Sequence, residues 1–296
     1  MIGQRSDGDR PLAGDEAVRS PRYGHAVLAS GSAVMYIVIA IVSALLGVAI
    51  AGLVLRFTAL RPPFDFGAVD ALVGIVYGIL LAILVLFASQ HYTTAIDNAN
   101  REATSLNDIY KAAGTLQPTV RDGLRHQVIC YAREKIEYEW PELSHSDGNG
   151  SPVLFARTRT LNEQVQEIAR AQPTSLIVST LFSANLERAQ ARQLMLEDSR
   201  PELPRPLWLV VLLGIGIVVF LLSLRYWQER SHLIAALVAS LVLLIAMVGA
   251  LAELDRPFAS IIGLEPRGME SVLSSVVESS TLSPAVLRPC AQVTQG

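Results

Sequence analysis

Leu233–Phe258 reads LIAALVASLVLLIAMVGALAELDRPF. About twenty uncharged residues run before Glu253, Asp255 and Arg256 crowd into one turn, and Pro257 cannot continue a helix. A helix rises about 1.5 Å per residue, so this run is long enough to cross a hydrocarbon core. Three more apolar runs lie upstream, at Ala33–Leu55, about Ala71–Ser89 and about Leu207–Leu224. Of 296 residues, 51% are hydrophobic and 17% charged, with a mean hydropathy of +0.39, the charge deficit of a chain that meets lipid.

These runs predict an all-α integral membrane protein: four transmembrane helices arranged as two hairpins, with a helical cytoplasmic insert between them. The expected divisions are a disordered N-terminal tail at 1–32, transmembrane hairpin 1 at 33–89, the insert at 90–206, transmembrane hairpin 2 at 207–258 and a C-terminal tail at 259–296. The first apolar run is delayed past Ser32, so it reads as a retained anchor rather than a cleaved signal. Ser43, Gly47 and Ala51 fall four apart, giving that helix one face small enough for close contact.

In the second run Gly74, Gly78 and Ala82 repeat the small-residue spacing, which suits either helix packing or a pore-lining face. Gly74, Tyr77, Gly78 and Leu81 are the candidate pore-lining residues. In the insert, apolar residues recur at helical spacing: Ile96, Ala99, Ala103, Leu106 and Tyr110; Leu124, Val128, Tyr131 and Ile136; Leu161, Val165 and Ile168. Pro141 is expected to end the second of these helices. Beyond the fourth span, Val272, Leu273, Val276 and Val277 mark a short amphipathic helix, and the last residues read as disordered.

Several functions are excluded by what the chain lacks. The net charge is -3 with no Lys/Arg-rich block, so no nucleic-acid partner is expected. His25, His91, His126, His145 and His232 are scattered, and no phosphate loop, nucleophile elbow or dinucleotide fingerprint occurs. No enzyme, cofactor or metal site is expected. Cys130 and Cys290 lie far apart without CxxC spacing, so a disulfide framework is not expected, and Cys130 among Val128, Ile129 and Tyr131 reads as core packing. Glu134, Glu137 and Glu139, beside Arg133 and Lys135, read as a solvated charged face. Arg188 and Arg192 read as a solvated or intersubunit face.

No span carries an interior charge, which argues against an ion-coupled transporter and suits a hydrophobically gated channel. Arg22, Arg101, Arg200, Arg205, Arg256 and Arg267 lie on the side of the termini and insert. Arg56, Arg61, Arg225 and Arg230 lie on the side of the short loops. Positive-inside counting therefore places both termini in the cytoplasm, in a multi-pass protein of the cytoplasmic membrane.

Four fragments occur in a fixed order around the spans: NANREATSLNDIYKAA, YAREKIEYEWPEL, ARQLMLEDSRPELPRPLW and ELDRPF. In that order, from about Val34 to Pro266, the chain resembles the bestrophin-like membrane family. The resemblance implies a relation to bestrophins, pentameric anion channels whose second transmembrane helix lines a hydrophobic neck and whose last span ends in a Pro-Phe turn. Pro257-Phe258 stands in a similar place, making Asp255, Arg256, Pro257 and Phe258 the candidate vestibule or turn residues. The same turn also reads as a plain helix stop with ion pairs to its neighbours. Calcium-binding bestrophins carry an acidic cluster beyond the turn, where this chain has Ala259, Ser260, Ile261 and Ile262. The close phenylalanine pair of the bestrophin neck is replaced by Tyr77 and Phe87, one in each half of the span. The implied function is a homo-oligomeric anion channel in the lipid bilayer, with an anion as permeant. The alternative is a non-conducting scaffold or sensor that binds a partner through the insert.

Overall fold

The computed structural model describes residues 26–57, 67–145, 148–227, 229–259, 263–278, 285–286 and 288–290. The expectations for the N-terminal tail at residues 1–25 and the loop at 58–66 lie outside the described residues. Helix α1 spans Ala26–Phe57, α2 Gly67–Ala113, α3 Pro118–Glu134, α4 Trp140–His145 and α5 Pro152–Ala171. They are followed by α6 Leu176–Asp198, α7 Arg205–Tyr226, α8 Arg230–Leu254 and α9 Arg267–Glu278. Among the described residues, four helices, α1, α2, α7 and α8, are long and apolar enough to cross a membrane.

Small residues decide how the spans meet. The predicted face of α1 lies on α7: Ser43 Oγ donates to the Leu212 carbonyl at 2.7 Å, and Ala51 is fully buried. A Cβ on Gly47 would stand 2.5 Å from the Gly216 carbonyl, so only glycine allows this approach. Tyr36 stacks on Trp208 nearby, with ring centroids 3.9 Å apart. This pairing differs from two closed hairpins, because α1 packs on α7 and α8 and scarcely touches α2. The reason is steric: α1 and α7 both present small residues, whereas α2 sends the bulky Tyr77 and Leu84 inward.

Helix α2 is a single rod of 47 residues, about 70 Å long, that leaves the membrane and continues into the insert. Its polar half packs along α6, with α3 and α9 also against it and α5 packed on α3 and α6. Leu106, Leu124, Val128, Leu154, Leu161 and Leu181 form the fully buried centre of that core. Val272 and Val276 of α9 complete it, as their amphipathic spacing predicts. Pro118 and Pro152 occupy the first turns of α3 and α5, where a missing N–H costs nothing. Pro141 does not end its helix. Lys135–Glu139 form a π-helical turn between α3 and α4, and Pro141 sits in the first turn of α4.

One sequence expectation fails at the C-terminus, and the expected disorder of the last residues lies at 291–296, outside the described residues. Cys130 and Cys290 are joined in a disulfide with Cα atoms 5.6 Å apart, 160 residues apart in sequence. Val286 is held as well, at 1% exposure with its carbonyl 3.1 Å from His126 Nδ1. Cys130 is buried as expected, but its role is covalent: it straps the chain end onto α3. A disulfide closing so long a loop removes much entropy from the unfolded chain. Cys290→Ser should lower unfolding stability by about 2–5 kcal/mol in a denaturant titration. Reductant should produce the same loss in the wild type and none in the variant; a wild type indifferent to reductant would contradict the bridge.

Candidate functional site

The four α2 candidates divide by direction. Tyr77 and Leu81 face into the bundle, at 9% and 6% exposure. The Tyr77 hydroxyl donates to the Val211 carbonyl at 2.7 Å, and its ring occupies the space above Gly214, where a Cβ would stand 2.1 Å from a ring carbon. Gly74 and Gly78 face the other way, with nothing within 4 Å of an added Cβ. Around them Ala71, Ile75, Ile79, Ala82, Ile83 and Leu86 are exposed, giving a continuous uncharged face.

The turn after α8 is a structural joint. Asp255 is 3% exposed, and its Oδ1 accepts the Leu203 N–H at 2.8 Å, fixing the chain entering α7. Burial pushes its carboxyl above the ordinary value of 3.8, against the Leu203 hydrogen bond and Arg256. Phe258 meets the Trp140 ring edge-on at 5.5 Å, and Trp140 Nε1 donates to the Leu264 carbonyl at 2.7 Å. Pro257 is buried and accepts the Leu264 N–H at 3.0 Å. Of the four candidate turn residues only Arg256 is partly exposed on this joint. A polar belt lies close by: His91 contacts the Asp198 carbonyl at 3.1 Å and Glu202 at 3.0 Å, and Asn98 donates to Asp198 at 2.7 Å.

Farther along α2, the charges read as solvated are buried instead. Lys135 Nζ, fully enclosed, lies 2.8 Å from Glu102 and 2.7 Å from Glu139. Arg192 grips Glu139 with Nε at 3.0 Å and Nη2 at 2.6 Å. Tyr131 donates to Glu102, and Arg157 forms a two-pronged pair with Glu134. The charged-face expectation holds for Glu137, which is exposed, and fails for Glu134, Glu139, Arg188 and Arg192. Lys135 and Glu139, four residues apart on the π turn, share its inward face. Among the described residues no group of three His, Cys, Asp or Glu side chains could hold a metal ion.

With this geometry in view, a sequence profile of the Bestrophin-like domain matches residues 66–269. The chain belongs to the Bestrophin-like family. Its structure is similar to that of a variant bacterial bestrophin homolog from Klebsiella pneumoniae, with a TM-score of 0.61 and 11% sequence identity, over 84% of this chain and 99% of that one. At that identity the likeness shows the bestrophin-like fold alone. No curated protein matches the chain. The match begins at α2 and ends in α9, so it takes in the rod, the insert with its buried charges, and the turn after α8.

Burial alone raises Glu139, but Lys135 and Arg192 outweigh it and hold the carboxyl below its ordinary value of 4.5. A depressed carboxylate stabilises the fold above its unfolded pKa, and that contribution fades as pH falls through the folded value. Glu139→Gln should cost about 3–5 kcal/mol at neutral pH, because it leaves buried cations short of a carboxylate. The deficit relative to wild type should shrink in unfolding titrations carried below pH 4.5.

Proposed function

We propose that the protein is a homo-oligomeric anion channel of the cytoplasmic membrane and not an enzyme. The observation that carries this reading is the α2 face around Gly74 and Gly78: open in the single chain, free of charge, and carried on the rod that continues into the insert. Membership of the Bestrophin-like family supports it. A pore wall has to be reached by the permeant, so Gly74 and Gly78 are assigned to the wall, while Tyr77 and Leu81 hold the rod against α7 from behind. Glycines leave the path wide there, and apolar neighbours such as Ile79 gate it by shedding water. Arg256 serves as the vestibule charge that raises local anion concentration. No acidic cluster follows Pro257-Phe258 in the sequence, so no calcium dependence is proposed.

The oligomer has support outside the bilayer as well. Leu176, Phe182, Leu186 and Leu194 of α6 are exposed apolar side chains beside the polar half of α2, where water would otherwise meet them. A neighbouring copy is assigned to this face. A partner of another kind seated there is what the scaffold reading requires.

In liposomes, purified protein should release chloride. Gly78→Leu should reduce that flux several-fold, while Tyr77→Phe should leave it within about twofold and lower stability by about 1 kcal/mol. Folded protein that leaves vesicles chloride-tight would overturn the channel and favour the scaffold.

For orientation we propose cytoplasmic termini, supported by the arginine balance. The Cys130–Cys290 bridge weighs on the other side, because disulfides persist best in oxidising compartments. Ser231→Cys, on the exposed start of α8, decides between them. A membrane-impermeant maleimide should label it in intact cells; labelling only after lysis would reverse the orientation.

A further inference from the structure

The buried charges of the insert do not balance. Glu102, Glu134 and Glu139 are matched by Lys135, Arg157 and Arg192 through the pairs described above. Arg188 is left over. It is fully buried, and no carboxylate lies within ion-pair distance of it among the described residues. Its Nε donates to Asn185 Oδ1 at 3.1 Å, and its Nη2 donates to Asn185 Oδ1 at 2.9 Å and Asn162 Oδ1 at 3.0 Å. The guanidinium carbon lies 4.8 Å from the centre of the Tyr131 ring. Among the described residues Nη1 has no hydrogen-bond partner.

Two neutral amide oxygens and a ring face do not cancel a full charge. A guanidinium cannot lose its proton to escape the cost of burial, as a lysine can. Tyr131 cannot supply the missing negative charge, because burial and then Glu102 push its hydroxyl well above the ordinary value and keep it protonated. Glu102 and Glu139 are committed to Lys135, Tyr131 and Arg192. An uncompensated buried ion costs several kcal/mol, and an unmade hydrogen bond on it adds to that.

We propose that the insert binds a small monovalent anion of the halide class at Arg188 Nη1. The ion supplies both what the site lacks, a negative charge and an acceptor for Nη1. A water molecule would supply only the second. A small ion is named because Arg188 is fully buried and Tyr131, Asn162 and Asn185 already meet the rest of the guanidinium, which leaves Nη1 as the one group to be bonded. The site would tie insert stability to anion concentration at the α3–α5–α6 junction, away from the membrane-spanning face. It does not require the protein to conduct, so its test and the flux test can fail separately.

Bromide is the direct probe. Crystals of the full chain grown in sodium bromide should show an anomalous bromine peak beside Arg188 Nη1. Bromine found only elsewhere, or not at all, would overturn the site in favour of an ordinary water. In solution, the wild-type thermal midpoint at constant ionic strength should climb as chloride replaces gluconate, by about 3–5 °C per tenfold once above the dissociation constant. Arg188→Leu should abolish that climb, since it removes the buried charge the anion neutralises. A climb that persists in a folded Arg188→Leu variant would equally refute the assignment. If that variant does not fold, the wild-type bromide map decides alone.

Discussion

Lys135 is the residue on which the insert turns. Its ammonium is sealed between Glu102 of α2 and Glu139 of the π turn, and Arg192 of α6 holds the second of these from the other side. Three separate segments are therefore locked by one charged chain, in surroundings where each ion alone would be prohibitive. Such a network tolerates very little sliding, because a shift of one residue along α2 or α6 would strand a charge. The specificity is geometric rather than a large net gain in stability. It fixes the register in which the polar half of α2 lies along α6, and α2 carries that register straight into the membrane.

Inside the bilayer the constraint changes character. Lipid tails are as apolar as leucine, so close backbone approach and a few hydrogen bonds replace hydrophobic burial as the source of helix association. Gly47 against Gly216, with Ser43 bonded to the Leu212 carbonyl, clamps α1 to α7. Tyr77 then pins α2 to α7 across Gly214. With α1 held elsewhere, the Gly74 and Gly78 face of α2 stays uncovered by its own chain. The turn after α8 joins the two regimes: Asp255 fixes the entry to α7, and Phe258 docks on Trp140 of the insert.

Much of this was legible in the sequence because it rests on local pattern. Neutral runs of span length, the four-residue spacing of Ser43, Gly47 and Ala51, and the stripe ending in Val272 and Val276 all lie within a few turns of one helix. The misses needed partners far along the chain. Nothing local distinguishes a carboxylate in water from Glu139 beneath Arg192, 53 residues away. A π turn leaves no clear signature in KIEYE. The Cys130–Cys290 bridge depends on α9 returning the chain end to α3, which spacing alone cannot reveal. The pore-lining candidates are a separate case: the sequence offers Gly74, Tyr77, Gly78 and Leu81 as one stripe, and the position of α7 shows only that Tyr77 and Leu81 face the bundle while Gly74 and Gly78 do not. Arg188 gave one usable hint: a helical arginine flanked at three and four residues by Asn185, Ala184, Ala191 and Arg192, with no acidic residue at those spacings.

The proposed function comes down to where the open face of α2 would point in an assembly of copies. Single-particle imaging of the protein in lipid nanodiscs tests this most directly. A closed ring of copies is expected, with Gly74 and Gly78 of every copy lining a central solvent-filled path. A monomer or dimer without such a path, or a ring in which that face looks onto lipid, would contradict it.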